Sequence, residues 1–70
     1  MHRESVLSSS LSEVGYDPPS RTLEIEFVTG RVYRYFDVPR DVHSDLMAAP
    51  SKGQFFNRRI RDHFPCSPQG

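Results

Sequence analysis

The sequence predicts an α+β fold: a small antiparallel sheet of three or four strands followed by two short helices packed on one face. Two observations carry this. The stretch "TLEIEFV" at 22–28 alternates strictly, placing Leu23, Ile25 and Phe27 on one side and Thr22, Glu24 and Glu26 on the other, the period of a half-buried strand. After Asp37 the apolar spacing becomes helical, with Val42, Leu46 and Ala49 in one stretch and Phe56 and Ile60 in the next.

A chain of 70 residues leaves room for one domain, near the lower size at which a core can hold itself together. At 36% hydrophobic residues, with alternating apolar positions, it reads as globular rather than disordered. Residues 1–64 are expected to form the single domain and 65–70, "PCSPQG", a flexible C-terminal tail. One cysteine, Cys66, excludes an internal disulfide framework. Apolar packing, alone or with self-association, must therefore stabilise the fold.

Taken in order, Val6 and Leu7 followed by "SSS" suggest a short first strand, and "LSEVGYD" at 11–17 a second, with Val14 and Tyr16 on one face. "DPPSR" at 17–21 is a turn, because proline fixes φ and donates no ladder hydrogen bond. The strand at 22–28 follows, and Gly30 then marks a hairpin. A two-residue Thr29-Gly30 loop would need positive φ at a β-branched residue. A three-residue loop of Val28, Thr29 and Gly30, with glycine left-handed at a bulge, avoids that strain. It also sets the register: Ile25 beside Tyr33, Leu23 beside Tyr35, and Arg34 on the opposite face near Glu24 and Glu26. Both tyrosines are thus expected on the core side with hydrogen-bonded hydroxyls at its rim. A base-stacking platform is the competing reading. Val28, Val32 and Phe36 fall on the second face.

Beyond the sheet, Pro39 suits a first helical turn, Asp41 lies near the positive end of the helix dipole, and Pro50 stops the helix. Ser51 and Gln54 have the form of a capping box for a second helix running to about Asp62. Phe56 and Ile60 form its inner stripe, with Phe55 beside it. Gly53, costly in a first turn, suggests either close approach by another backbone or mere tolerance of a glycine there.

Four stretches, "VLSSSLSEVGYD", "LEIEF" with its glycine turn, "VYRYFDVP" and "LMAAPSKGQFFNRRIRDHFP", together resemble the KTSC domain family over nearly the whole chain. These are short bacterial domains that stand alone or end some lysyl-tRNA synthetases. The resemblance implies a KTSC-like domain over 1–64 with Gly30, Tyr33, Tyr35, Ser51, Gly53, Phe56 and Ile60 as structural positions. For that family RNA binding has been suggested and no activity is established. This chain carries no synthetase motif.

The residues themselves argue against catalysis. Ser8, Ser9 and Ser10 lack a G-x-S-x-G elbow, and such runs more often satisfy backbone groups at strand ends. His2, His43 and His63 are scattered, so no metal site or cofactor is expected. No flanking motif activates Cys66. "MHRESVLSSS" holds no apolar run of signal-peptide length, and nowhere do roughly 18 apolar residues run together. A cytoplasmic protein without membrane contact is the expectation.

Net charge is zero but unevenly spread: residues 1–50 hold five Arg against eight Asp or Glu, and 51–70 hold Lys52, Arg58, Arg59 and Arg61 against Asp62. With Asn57, these form the candidate nucleic-acid surface, since guanidinium groups bond phosphates and stack on bases. Arg58 and Arg61, three apart, would share a helix face with Gln54. The expected function is a small noncatalytic module binding RNA or another nucleic acid through this helix. The alternative is a module for protein partners or self-association, using the apolar strip on the second sheet face.

Overall fold

The computed structural model describes residues 1–69. A five-stranded antiparallel meander contains β1 (Arg3–Ser5), β2 (Leu11–Asp17), β3 (Thr22–Phe27), β4 (Val32–Tyr35) and β5 (Cys66–Gln69), in that spatial order. Helices α1 (Arg40–Ala48) and α2 (Lys52–Phe55) intervene between β4 and β5, and α2 continues into a π-helical turn at Phe56–Ile60.

The hairpin adopts the expected loop. Phe27 N–H donates to Arg31 O at 2.8 Å, Gly30 N–H donates to Phe27 O at 2.8 Å, and Gly30 has φ of +94°. Three residues thus turn the chain, and Leu23 pairs with Tyr35, Glu24 with Arg34 and Ile25 with Tyr33. In β2 the pairing shifts between Leu11, opposite Phe27, and Glu13, opposite Glu26. The extra residue, Ser12, reverses the alternation. That is why Leu11 and Val14, three apart, are both about 1% exposed on the same face.

This face carries the core. Leu23 and Ile25 lie beneath Val38, Val42, Leu46, Phe56 and Ile60, with Phe27, Tyr33, Phe55 and Phe64 packed at the margin. Asp37 takes a left-handed φ of 60°, a conformation its short polar side chain tolerates, where the chain leaves the sheet for α1. Pro39 stands at the N-cap with extended ψ rather than inside the first turn. Extended Ala49 precedes Pro50, as proline's steric demand on its predecessor requires. Ser51 caps α2, its Oγ accepting from Gln54 N–H at 3.4 Å.

Three expectations need correction. The first strand is Arg3–Ser5, not Val6 and Leu7, and Leu7 is 94% exposed. Its signal is electrostatic rather than apolar: Arg3 lies over Gly15, within 3.4 Å of carboxylate oxygens of both Glu13 and Glu24. Residues 66–69 are not a flexible tail but strand β5, paired along β4 from Tyr35–Cys66 to Val32–Gln69; Gly70 lies outside the described residues. Two prolines hid this strand, yet β5 is an edge with one neighbour, where Pro68 needs no second ladder bond. Gly53 is approached by a side chain instead of a backbone: a Cβ there would meet Ser10 Oγ at 3.1 Å.

The second face is charged. Glu24, only 7% exposed, bonds Arg34 at 2.8 Å and pairs with Arg3, which also reaches Glu26. Along β4 Arg34 separates Val32 from Phe36, so the two apolar side chains are interrupted by charge. Among the described residues, no helix is long and apolar enough to cross a membrane.

Candidate functional site

Where β3 and β4 meet the π-helical turn, the core opens into a groove of about 580 Å³. Its aromatic wall comes from three elements. Phe27 meets Tyr33 and Phe56 edge-on at centroid distances of 6.0 and 5.3 Å, and Phe56 meets Tyr35 edge-on at 5.5 Å. Tyr33 and Tyr35 stand side by side, as residues two apart in a strand must, with centroids 6.4 Å apart.

The tyrosines occupy the core-side face, as expected. Tyr35 is 5% exposed, and its hydroxyl, like that of Tyr33, has no hydrogen-bond partner among the described residues. The Tyr16 hydroxyl, by contrast, bonds within the protein, donating to Val38 O at 2.6 Å. Burial, followed by the neighbouring Cys66 and Tyr33, pushes the Tyr35 hydroxyl up to about 12, against a smaller opposing effect of Arg61. It therefore holds its proton at neutral pH.

The polar rim of the groove draws on distant parts of the chain: Ser9 and Ser10, Arg31, Asn57, Arg61 and Asp62, with Cys66 beside them. Ser8 Oγ organises the serine loop by accepting from Ser10 N–H at 3.1 Å and Leu11 N–H at 3.2 Å. This is backbone satisfaction, as expected for such a run. His43 lies elsewhere, stacked on Tyr16 at 4.7 Å in a recess shared with His2 and Glu4. Burial lowers its pKa, and Glu4 partly opposes that shift. Among the described residues no three His, Cys, Asp or Glu side chains gather in a group able to hold a metal ion.

The five basic or polar residues expected to act together are divided. Asn57 and Arg61 face the aromatic groove, whereas Arg58 and Arg59 line a neighbouring recess with Gln54 and Phe55. The π-helical turn explains the division. Arg61 N–H bonds Phe56 O, five residues back, at 2.8 Å, and Arg61 then leaves with extended ψ of 129°. The three-residue helical spacing from Arg58 no longer applies, and Arg61 does not share a face with Gln54. Arg59 lies over the Phe55 ring at 5.3 Å. Lys52 donates to Ala49 O at 3.2 Å, satisfying a carbonyl at the end of α1. Sequence reasoning missed Arg31, which reaches the groove from the far side of the hairpin. Its signal was its place just after the glycine turn, at the end of the strand bearing both tyrosines.

Comparison with known proteins places these features in a family. The model of the KTSC domain matches residues 7–64. A lysine–tRNA ligase of Nostoc punctiforme is 48% identical over 56 residues, which are 80% of this chain but 10% of the ligase. An uncharacterized protein of Stutzerimonas stutzeri is 47% identical over 58 residues, covering 83% of this chain and 82% of that one. The crystal structure of a KTSC domain protein from Yersinia pestis superposes with a TM-score of 0.94 at 43% identity, covering 99% of this chain and 97% of that one. The chain thus belongs to the KTSC domain family, and its fold is that of a KTSC domain protein.

Proposed function

We propose that this domain is a noncatalytic module that binds single-stranded RNA along the aromatic groove. The observation that supports it is the convergence of Arg31 and Arg61, 30 positions apart in sequence, on the rim of one aromatic-walled groove. Guanidinium groups bond phosphates, and aromatic walls receive bases, which only an unpaired strand can present. The likeness to a protein named lysine–tRNA ligase favours RNA as the ligand class.

Zero net charge means no long-range attraction from the whole molecule, so binding rests on local contacts. Two neutralised phosphates correspond to a slope of about −1.4 in log affinity against log salt, at ~0.7 per phosphate of a single strand. Fluorescence anisotropy with a single-stranded RNA and its duplex, across a salt series, tests the reading. Tighter binding of the single strand with that shallow slope supports it. Equal affinity for duplex, or no binding of either, contradicts it and leaves protein association to be measured next by size in solution.

A further inference from the structure

We propose that the edge of β4 covered by β5 is a strand-addition site for a partner protein, and that β5 is the strap that holds it closed. The partner segment is extended, with an acidic residue at its centre and apolar residues two positions to either side. This goes beyond RNA binding and does not depend on it. None of the side chains at 65–69 is buried, and none belongs to the core cluster, so backbone pairing is what keeps β5 on β4. Phe36 N–H donates to Pro65 O at 2.8 Å. Bonded and non-bonded pairs alternate along an antiparallel ladder, so Arg34 with Ser67 and Val32 with Gln69 are the other bonded pairs. Pro65 has no N–H to return to Phe36 O. The strap thus lacks a bond that a partner strand without proline there would make. Pro68 falls at a non-bonded pair, where its missing N–H lies on the outer side and blunts β5 against further strands. The sheet grows at this edge by replacing β5, not by adding to it.

The face of β4 away from the core chooses the replacement. Val32, Arg34 and Phe36 alternate onto it, opposite Gln69, Ser67 and Pro65 of the strap. The Arg34 side chain is 44% exposed, and Glu24 engages its Nε, which leaves the two terminal guanidinium nitrogens for a second carboxylate. Ser67 does not take them: its Oγ bonds Pro68 O at 3.5 Å. A glutamate or aspartate in the place of Ser67 would pair with Arg34 across the ladder. Phe36, 36% exposed, and the half-buried Val32 meet only a proline and a glutamine of the strap. Apolar side chains in those two places would cover them. Backbone bonds then supply affinity and the alternate side chains supply specificity, the division of labour in strand addition.

The test measures binding of a fluorescein-labelled peptide with the core Val-Thr-Glu-Thr-Val, and of the same peptide with lysine in place of glutamate, to the full chain and to two variants of the strap. Ser67→Pro removes a bonded N–H from β5 and should raise affinity for the glutamate peptide about fivefold, whereas Pro65→Ala supplies the missing N–H and should lower it by about the same factor. Both substitutions lie outside the core and should leave the parent's circular dichroism in place. The parent should bind the glutamate peptide about threefold or more tightly than the lysine peptide. Equal binding of the two peptides, an affinity moved by neither strap variant, or no binding even to Ser67→Pro would overturn the proposal, and RNA binding would stand or fall separately.

Discussion

Arg34 and Glu24 are register partners across β3 and β4, joined by a 2.8 Å bond from Nε to Oε1 on the face opposite the core. Glu24 is 7% exposed because Arg34 and Arg3 cover it. Both arginines retain solvent contact, which screens the pairs. Glu24→Ala leaves two guanidinium groups without their shared carboxylate and should cost about 1–2 kcal/mol. Urea denaturation measures this, and Glu24→Gln should recover part of the loss.

Gly15 carries β1. A Cβ there would stand 2.8 Å from His2 O and 2.7 Å from Arg3 Cγ, and the first of these is backbone that cannot swing away. Gly15→Ala should therefore push β1 off β2 while the rest of the sheet survives. Hydrogen exchange should show protection lost in the β1–β2 ladder and kept at Leu23 and Ile25.

Tyr35 separates ring from hydroxyl. Tyr35→Ala removes a buried ring from the centre of the aromatic cluster and should cost about 3–5 kcal/mol, enough to unfold so small a domain. Tyr35→Phe should be near neutral, since the hydroxyl has no protein partner to lose. The same group sets an alkaline limit. Its folded pKa of about 12 exceeds the unfolded 10.0, so its contribution is full below pH 10 and lost as pH rises toward 12. Thermal melts of Tyr35→Phe should fall less steeply over that window.

His43 sets the opposite limit. Burial against Tyr16 lowers its pKa below 6.5, so the neutral ring is favoured by folding. The contribution is present above 6.5 and is lost as pH falls through the lowered folded value. His43→Phe keeps a stacked ring and should flatten the acid-side decline in Tm.

The hairpin was legible because its turn chemistry had one unstrained solution: Thr29 resisted positive φ, and the three-residue loop fixed every partner of Tyr33, Arg34 and Tyr35. The helix positions followed from proline and serine punctuation at Pro39, Pro50 and Ser51. What escaped was structure with no apolar period. β1 is held by Arg3 and its carboxylates across Gly15, and β5 is a proline-bearing edge completed only by tertiary pairing. The candidate site was half visible. Asn57 and Arg61 were named, but helical spacing grouped Arg61 with Arg58, and only the π-helical turn at Phe56–Ile60 turns it toward Arg31. A five-residue backbone bond leaves no mark in side-chain periodicity.

The central claim, that RNA is held at the groove and not by the basic segment as a whole, is tested most directly by two paired variants. Arg31→Ala with Arg61→Ala removes the rim cations, and Arg58→Ala with Arg59→Ala removes an equal charge from the neighbouring recess. Affinity for one single-stranded RNA decamer is measured for both across a salt series. The groove account predicts that the Arg31 and Arg61 variant loses about tenfold or more in affinity and nearly all its salt dependence, while the Arg58 and Arg59 variant changes by less than about threefold. Equal losses in the two variants, or a larger loss from Arg58 and Arg59, would contradict it.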